Sequence, residues 1–437
     1  MNQQRYTHSF SLLNSNEFKK KLISFYEQET YFVFLDSNDF DQSEYTCLCG
    51  VGAIDVLTCV AGNAFHQLER FQYEHQDWMF GYLGYDLKNE LEPLSSHNRD
   101  ILCFPDLQFF VPEIVMEINE KSITIHSYEE ERSALKSVLE EINNQMLSKE
   151  EEVAKNGHLE AIDSKEAYLE KAQKFLNHIH RGDIYEANLC TEFHALEVEL
   201  DSVKAFAHLN KSSAPPFAAY ARFAECHIIS ASPERYLKKM GKQLLSQPIK
   251  GTAPRAEDSL KDEEAKQELL ANQKERSENV MIVDLVRNDL SKVAQKGSVK
   301  VSELFGLYTF PQVHHMISSI TATLDQKNKG IDAVKATFPM GSMTGAPKIS
   351  AMKIIEQTES FKRGVYSGAV GYFTPSGDFD FNVVIRTILY NDTRKVVSLS
   401  VGSAITAAAI PEAEYQECFV KAAALMKVLE LQGIHFS

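Results

Sequence analysis

Residues 247–255 read Gln-Pro-Ile-Lys-Gly-Thr-Ala-Pro-Arg, and the rest of the chain is interpreted outward from this stretch. Pro248 favours an extended backbone before the lysine, and Gly251 permits a tight turn directly after it. The backbone therefore aims the Lys250 amine, which is typical of a functional lysine. Burial, or crowding by a second cation such as Arg255, would lower the pKa of Lys250 and make it a nucleophile or a base. A lysine in an ordinary surface turn is the alternative interpretation.

The composition is typical of a large globular protein. The chain has 437 residues, of which 44% are hydrophobic and 24% charged, and its formal net charge is −16. This charge argues against nucleic acid as a partner, and an anionic substrate would need locally placed cations or a metal. Residues 1–14 hold no apolar segment and no apolar run is long enough to cross a membrane, so we expect a cytoplasmic protein. The seven scattered cysteines are expected to be reduced.

The order of the predicted elements indicates fold class and domains. Strand-like and helix-like segments follow one another without a regular βαβ order, which predicts an α+β fold. The polar stretch 149–157 is the best candidate boundary, so we predict an N-terminal lobe at 1–155 and a catalytic domain at 156–437. Charge-rich residues at 129–152 predict a helix. Beyond them, Asp163 and Glu166 resemble a capping box that opens another helix.

Two pairs of glutamates lie in segments that predict helices, 260–293 and 411–431. The members of each pair are three residues apart, which places both carboxylates on one helix face. If the two faces meet, their hard oxygen ligands suit Mg²⁺, although a single such pair is more commonly a solvated surface. The pairs are Glu275 with Glu278 and Glu414 with Glu417. No grouping of histidines and cysteines indicates zinc.

Arg386 is the only charged residue in the apolar run 381–390, which predicts one buried strand. A buried guanidinium needs a partner, and a core salt bridge and a substrate carboxylate both remain open. His314 and His315 are adjacent, so their side chains point apart in most structures. We therefore expect one buried or substrate-facing histidine rather than a metal pair.

From residue 182 to residue 421 the chain resembles the chorismate-utilising enzymes. The motifs that carry the resemblance are Gly-Asp-Ile-Tyr-Glu-Ala-Asn-Leu from Gly182, Ser-Pro-Glu-Arg from Ser232, the stretch at 247–255, Ser-Glu-Asn-Val-Met-Ile-Val-Asp-Leu-Val-Arg-Asn-Asp-Leu from Ser277, Gly-Ser-Met-Thr-Gly-Ala-Pro-Lys from Gly341, Ile-Arg-Thr from Ile385 and Glu-Tyr-Gln-Glu-Cys from Glu414. The resemblance implies two orthogonally packed antiparallel β-sheets surrounded by helices, with a less independent N-terminal lobe.

The resemblance also implies a site for chorismate and Mg²⁺. Glu278 and Glu417 would hold the ion, directly or through water, with Glu275 and Glu414 assisting, and the ion would bind the ring carboxylate. The implied substrate-binding residues are His315, Tyr366, Arg386, Thr252, Gly402 and Ser403. Ala404 stands where the family often has glycine, and its methyl group is expected to narrow or shift the pocket.

Lysine at position 250 marks the branch of the family that forms aminodeoxychorismate, whereas the anthranilate-forming branch has alanine there. The resemblance implies that Lys250 attacks the ring carbon beside the carboxylate-bearing carbon, while Glu234 protonates the departing hydroxyl. Ammonia then takes the vacated carbon and expels the lysine, on the route to 4-aminobenzoate and folate. Isochorismate and salicylate synthases place a base lysine near the position of Glu186. The acidic residue here disfavours attack by water.

The source of ammonia is expected to be a separate protein. The chain has no Gly-x-Cys-x-Gly nucleophile elbow, so the resemblance implies a glutamine amidotransferase partner. Two other functions remain open at this point. The chain could form anthranilate, which Lys250 argues against, or it could be a catalytically silent subunit that binds chorismate or the amidotransferase. Lys250, Glu234 and the four glutamates argue against a silent subunit.

Overall fold

The computed structural model describes residues 4–146 and 157–436. The predicted domain boundary after residue 155 lies outside the described residues. The strands, in chain order, are β1 (Tyr6–Ser11), β2 (Tyr31–Asp36), β3 (Cys47–Val51), β4 (Asp55–Cys59), β5 (Met79–Leu83), β6 (Leu107–Val111), β7 (Ile114–Ile118), β8 (Ser122–Ser127), β9 (Gly157–Ala161), β10 (Glu186–Ala195), β11 (Phe217–Phe223), β12 (Cys226–Ser232), β13 (Arg235–Met240), β14 (Gln243–Gln247), β15 (Ile249–Pro254), β16 (Lys300–Thr309), β17 (Val313–Thr323), β18 (Gly345–Ala346), β19 (Ala369–Phe373), β20 (Phe379–Val383), β21 (Thr387–Asn391), β22 (Val396–Thr406) and β23 (Ile434–Phe436).

The α-helices lie between groups of these strands along the chain. They are α1 (Ser15–Phe25), α2 (Ala64–His75), α3 (Lys88–Leu91), α4 (Arg132–Asn144), α5 (Lys165–Arg181), α6 (Ser202–Ser213), α7 (Ser259–Ala271), α8 (Gln273–Ser291), α9 (Gly330–Thr337), α10 (Lys348–Thr358) and α11 (Pro411–Glu430). None of the described helices is both long and apolar enough to cross a membrane. All seven cysteines are free thiols.

The strands form two large sheets, which confirms the predicted α+β fold. The first sheet has the order β1-β8-β7-β3-β2-β11-β12-β21-β22-β10-β9-β23, with β18 added beside β10. The second has the order β15-β17-β14-β13-β20-β19-β5-β6-β4, with β16 added beside β17. The pairing is antiparallel throughout, except that β23 runs parallel to β9.

Both faces of the central strands of the first sheet are buried, and neighbouring residues of one strand enter different cores. In β2, Val33 packs into the core between the sheets, whereas Phe32 and Phe34 enter the core under the helices. Side chains of a strand alternate between the two faces of a sheet. A strand covered on both faces therefore reads as a continuous apolar run.

Strands from both sides of the predicted boundary share each sheet. In the first sheet, Phe34 of β2 lies opposite Tyr220 of β11. In the second sheet, Gly81 of β5 lies opposite Gly371 of β19. A Cβ on Gly81 would lie 2.3 Å from the Gln108 carbonyl oxygen, so glycine allows this close approach. The N-terminal part of the chain thus supplies strands to the same sheets as the catalytic part.

Two predicted helices have different ends in the structure. The N-cap of α5 is Ser164, whose hydroxyl accepts from the Ala167 amide, and Asp163 instead accepts two hydrogen bonds from Lys171. Gly182 ends the helix with a positive φ of 86°, as glycine readily does. The helix predicted at 129–152 is α4, which ends at Asn144, and its predicted residues beyond 146 lie outside the described ranges.

The prediction of one strand at 381–390 is wrong. β20 ends at Val383 in the second sheet, and β21 begins at Thr387 in the first sheet. Arg386 lies in the bend between them with a positive φ of 52°. The run reads as one strand because both of its halves are buried, so the change of sheet leaves no break in hydrophobicity. The bend removes Arg386 from the strand and takes it to the edge of a cavity.

Candidate active site

A cavity of about 500 Å³ brings together all twelve residues predicted for the site. Its walls come from β10, β15, β17, β22, α8 and α11, with the bends that precede β13 and β21. This volume suits a small organic molecule. The predicted residues that line it are Thr252, Glu234, Lys250, Glu275, Glu278, His315, Tyr366, Arg386, Gly402, Ser403, Glu414 and Glu417.

Lys250 reaches the cavity from an irregular part of β15. The register of β15 against β17 shifts between Ile249 and Thr252, and Gly251 has a φ of 90°. Such a bulge re-aims the side chains beside it, and the positive φ is readily adopted by glycine. The Lys250 Nζ donates a hydrogen bond of 2.8 Å to Glu186 Oε1, and it lies 3.8 Å from Glu278 Oε2.

The expectation that Lys250 loses its proton easily is wrong for the protein without substrate. Burial lowers the pKa of Lys250, but the charges of Glu186 and Glu278 outweigh burial and raise this pKa above its usual value. Arg255 does not crowd the amine, because its guanidinium pairs with Asp262. The resting Lys250 is therefore an ammonium ion held between carboxylates.

Glu234 has the properties of a general acid. It lies between β12 and β13, it is 5% exposed, and it lines the same cavity as Lys250. Burial raises the pKa of Glu234 to about 7, while the nearby Lys250 charge opposes that rise. A carboxyl group with this pKa can hold a proton at neutral pH and deliver it to a leaving group.

His315 faces the cavity as a neutral ring. Burial and the nearby Arg386 charge lower the pKa of His315 to about 3. Its Nδ1 lies 2.9 Å from the Thr252 hydroxyl oxygen, directly across the β15–β17 pair. His314 points away from the cavity to Asp262, so the two histidines separate as expected. A neutral imidazole here can accept or donate a hydrogen bond without adding charge.

Arg386 has no carboxylate partner among the described residues. The only hydrogen bond of its side chain to the described residues is a long one of 3.5 Å to the Lys421 carbonyl oxygen. Its guanidinium lines the cavity, where burial lowers the pKa of Arg386. Arginine remains charged under these conditions. Of the two partners left open by the sequence, a substrate carboxylate is the one that this geometry favours.

Helices α8 and α11 present the four glutamates to one end of the cavity. Asn272 caps α8 by accepting from the amides of Lys274 and Glu275, which fixes the first turn of that helix. Glu278 is buried, and burial raises its pKa to about 7. On α11, the Glu414 carboxylate accepts from the Ser403 hydroxyl and from Lys274 Nζ.

Ammonium groups stand between these carboxylates. Lys274 Nζ lies 3.1 Å from Glu414 Oε1 and 3.9 Å from Glu278 Oε1, and Lys421 Nζ lies 2.6 Å from Glu417 Oε1. Burial opposes ionisation of Glu417, but the charge and hydrogen bond of Lys421 hold its pKa below the usual value. Among the described residues, no group of three or more Asp, Glu, His or Cys side chains is arranged so that it could hold a metal ion.

The donor set nevertheless fits a hard divalent cation. Carboxylate oxygens are the ligands that Mg²⁺ prefers, and four of them line one end of one cavity. Glu278 Oε1 is buried without a hydrogen-bond partner among the described residues. A buried carboxylate oxygen without a partner is costly, and a bound cation would satisfy it. The two lysine ammonium groups would have to move before the carboxylates could converge.

The backbone of β22 forms another wall of the cavity, and it packs against α11. A Cβ on Gly402 would lie 2.6 Å from Cys190 Sγ, so glycine lets this strand approach β10 closely. The Gly402 carbonyl oxygen already accepts from Lys421 Nζ at 2.9 Å. Ala404 lines the cavity, as its predicted effect on the pocket requires. Tyr366 is buried, and burial raises its pKa well above the usual value, so its hydroxyl stays protonated.

The sequence interpretation missed two cations and underrated one carboxylate. Lys274 and Lys421 line the cavity with Lys250 and Arg386, so the cavity gathers four cations in a chain of net charge −16. Lys421 follows Glu417 by four residues in a predicted helix, and this spacing could have revealed the pair. From the sequence, Glu186 was noted only because isochorismate and salicylate synthases have a base lysine near its position. Its contact with Lys250 joins the two sheets, which no local pattern shows.

Comparison with known proteins gives the same family across nearly the whole chain. The chorismate binding enzyme family matches residues 15–427. Aminodeoxychorismate synthase component 1 of Escherichia coli is 36% identical over 357 residues, which are 81% of this chain and 77% of that protein. Anthranilate synthase component 1 of Thermus thermophilus is 33% identical over 80% of this chain and 77% of that protein. The chain belongs to the chorismate binding enzymes.

Solved structures support the same fold. Anthranilate synthase component I from Streptococcus pneumoniae has a TM-score of 0.76 at 24% identity, over 89% of this chain and 93% of that one. The menaquinone-specific isochorismate synthase of Escherichia coli has a TM-score of 0.73 at 18% identity, over 98% of this chain and 95% of that one. At these identities the likeness concerns the fold alone.

Proposed function

We propose that the chain is the chorismate-aminating component of an aminodeoxychorismate synthase, which converts chorismate and ammonia to 4-amino-4-deoxychorismate. The observation that carries the proposal is Lys250 in one cavity with Glu234, a buried carboxyl group whose pKa is raised to about 7. Three relatives named aminodeoxychorismate synthase component 1 are 34–36% identical over 81–86% of the chain, which supports it.

The proposed reaction has two substitution steps. The neutral Lys250 amine forms a bond to the ring carbon beside the carboxylate-bearing carbon. Both double bonds of the conjugated system shift by one position, and the hydroxyl leaves from the carbon at its other end as water, with the proton of Glu234. Ammonia then bonds to the vacated carbon, both double bonds shift back, and the lysine leaves as a free amine. Two easier steps replace one hard substitution, because hydroxide leaves poorly without an acid.

The remaining site residues bind and orient the substrate in this proposal. Arg386 would pair with a carboxylate of chorismate, and His315 with Thr252 would hydrogen-bond near the ring. Glu275, Glu278, Glu414 and Glu417 would hold Mg²⁺. The ion would supply positive charge for the ring carboxylate and would weaken the negative potential that keeps Lys250 protonated.

Ammonia is proposed to come from a glutamine amidotransferase. The related protein of Escherichia coli is named component 1, which supports the existence of a second component. The sequence lacks a Gly-x-Cys-x-Gly nucleophile elbow. With ammonium salt the chain should work alone, whereas glutamine should replace ammonium only when an amidotransferase is added.

The test is product analysis with purified protein, chorismate, Mg²⁺ and an ammonium salt at mildly alkaline pH. Chromatography with mass spectrometry should find aminodeoxychorismate, which becomes 4-aminobenzoate only after a lyase is added. Anthranilate as the product would contradict the proposal and favour the other branch of the family. Binding of chorismate without turnover would favour a silent subunit.

A further inference from the structure

Glu186 is buried beside Lys250 and makes no other side-chain hydrogen bond among the described residues. It is 2% exposed, and its Oε1 accepts the 2.8 Å hydrogen bond from Lys250 Nζ. Its Oε2 is buried without a partner within the described part of the chain. A buried carboxylate oxygen without a partner destabilises the folded state. Apart from Lys250, Glu186 has no side-chain partner among the described residues that it could hold in place.

The backbone holds Glu186 firmly in place. As the first residue of β10, it lies opposite Thr406 of β22 and Ala346 of β18, so the strand is paired on both sides. Gly345 approaches so closely that a Cβ there would lie 2.2 Å from the Glu186 carbonyl oxygen. A side chain on such a backbone gives a fixed anchor point beside Lys250.

Lys250 itself is a flexible side chain that needs an anchor. A lysine side chain has four rotatable bonds and populates many rotamers unless a partner holds its amine. Its contact with Glu278, at 3.8 Å, is beyond hydrogen-bond distance, so Glu186 accepts the only hydrogen bond from its amine among the described residues. Without Glu186, the amine is free to turn toward Glu278 and the other carboxylates of α8 and α11.

We infer that Glu186 is the positioning residue for Lys250. Its side chain accepts a hydrogen bond at a fixed distance from the β10 backbone, and this fixes the amine at the point of attack. This inference rests on the proposed function, in which Lys250 is the nucleophile. The length of the side chain and its acceptor oxygen carry the role, rather than its negative charge. An attacking atom misplaced by 1 Å can lose about 10²-fold in rate.

The test compares three substitutions in the full chain, assayed with chorismate, Mg²⁺ and ammonium. Glu186→Ala removes the acceptor and should lower turnover by about 10²-fold. Chorismate affinity, measured by calorimetry with Mg²⁺ and without ammonium, should change less than about threefold, since Glu186 does not bind the substrate. Glu186→Gln keeps reach and acceptor and should recover most of the turnover. Glu186→Asp keeps the charge but is one methylene short, and it should recover less than Glu186→Gln.

Glu192→Ala is the matched control. Glu192 lies on the same face of β10, six residues and about 20 Å along the strand, and is 4% exposed. Its Oε2 is also buried without a partner among the described residues, but its Oε1 accepts from Ser398. Glu192→Ala should keep the turnover of the unaltered chain, and thermal unfolding checks that each variant is folded.

The outcomes separate this inference from the proposed function. If the unaltered chain forms no aminodeoxychorismate, the proposed function fails. If the unaltered chain forms aminodeoxychorismate and Glu186→Ala forms it at an undiminished rate, only the positioning role of Glu186 fails. Recovery by Glu186→Asp but not by Glu186→Gln would also overturn the inference, because charge would then matter more than reach. If Glu186→Ala does not fold, the comparison of Glu186→Gln with Glu186→Asp decides.

Discussion

Lys250 and Glu234 lie in one cavity with complementary states of protonation. Lys250 is held as an ammonium ion by two carboxylates, whereas burial lets Glu234 keep its proton up to about pH 7. The chemistry proposed for this pair requires a proton to leave Lys250 before attack and a proton to leave Glu234 during it. Substrate binding must therefore change the environment of the lysine, while the acid is already prepared.

At the residue scale, Glu234→Gln tests the acid. Glutamine keeps the shape of the side chain but has no acidic proton to give, so we expect kcat to fall by about 10²–10⁴-fold. Chorismate binding should be nearly unchanged. Steady-state kinetics with ammonium and calorimetry with Mg²⁺ check both expectations. Glu225→Gln, at an exposed glutamate, is the control, and a normal kcat for Glu234→Gln would exclude this residue as the acid.

At the scale of elements, helices α8 and α11 decide whether the cavity can take a divalent ion. Lys274 of α8 pairs with Glu414 of α11, so its ammonium occupies oxygens that a metal would use. Two like unit charges 4 Å apart near a protein surface repel each other by about 4 kcal/mol. The lysine and the metal should therefore compete.

Lys274→Met should tighten Mg²⁺ binding by about tenfold, because it removes the competing charge. Calorimetric titration with Mg²⁺ in the absence of chorismate measures this directly. Lys266→Met is the control. Lys266 of α7 pairs with Glu263, whose side chain is more exposed than that of Glu414, and Lys266 does not line the cavity. Weaker Mg²⁺ binding by Lys274→Met would show that the lysine supports the ion instead of competing with it.

Strand β10 contains a second buried carboxyl group whose ionisation should affect stability. Burial raises the pKa of Glu192 from 4.5 to about 7. Between these values the folded state binds more protons than the unfolded state, so the stability contributed by Glu192 is present at low pH and is lost as pH rises through 7. Relative to the unaltered chain, Glu192→Gln should gain about 2–3 kcal/mol at pH 8 and little near pH 4.5.

Urea unfolding at the two pH values measures that gain. Glutamine can still accept from Ser398, so packing changes little. Glu160→Gln on the neighbouring β9 is the control, because Glu160 is exposed and opposite His194 in the strand pair. An equal effect of Glu192→Gln at both pH values would mean that Glu192 does not ionise with a raised pKa.

At the scale of the whole molecule, the shared sheets predict that the chain unfolds as one unit. Trp78 is the only tryptophan, it lies in the N-terminal part, and its ring centroid is 6.1 Å from that of Tyr372 in β19. Trp78 fluorescence and far-UV circular dichroism should therefore give coincident urea transitions. An earlier fluorescence transition would mean that the N-terminal part opens alone.

The sequence was informative where a local pattern carries the structure. Helical spacing placed Glu278 and Glu414 on helix faces, and both side chains are buried where α8 and α11 line the cavity. The bend at Arg386 could not be predicted, because burial on both sides of it hides the change of sheet. The contact of Lys250 with Glu186 joins strands of different sheets, so it depends on the tertiary fold.

The most direct measurement of the central claim compares Lys250→Ala with the unaltered chain for both chorismate binding and product formation. With Mg²⁺ present, calorimetry should find chorismate affinity largely kept, because Arg386 and the four glutamates remain. Aminodeoxychorismate formation with ammonium should fall by orders of magnitude, since the nucleophile is absent. Undiminished formation of aminodeoxychorismate by Lys250→Ala would contradict the covalent mechanism and the function assigned to this lysine.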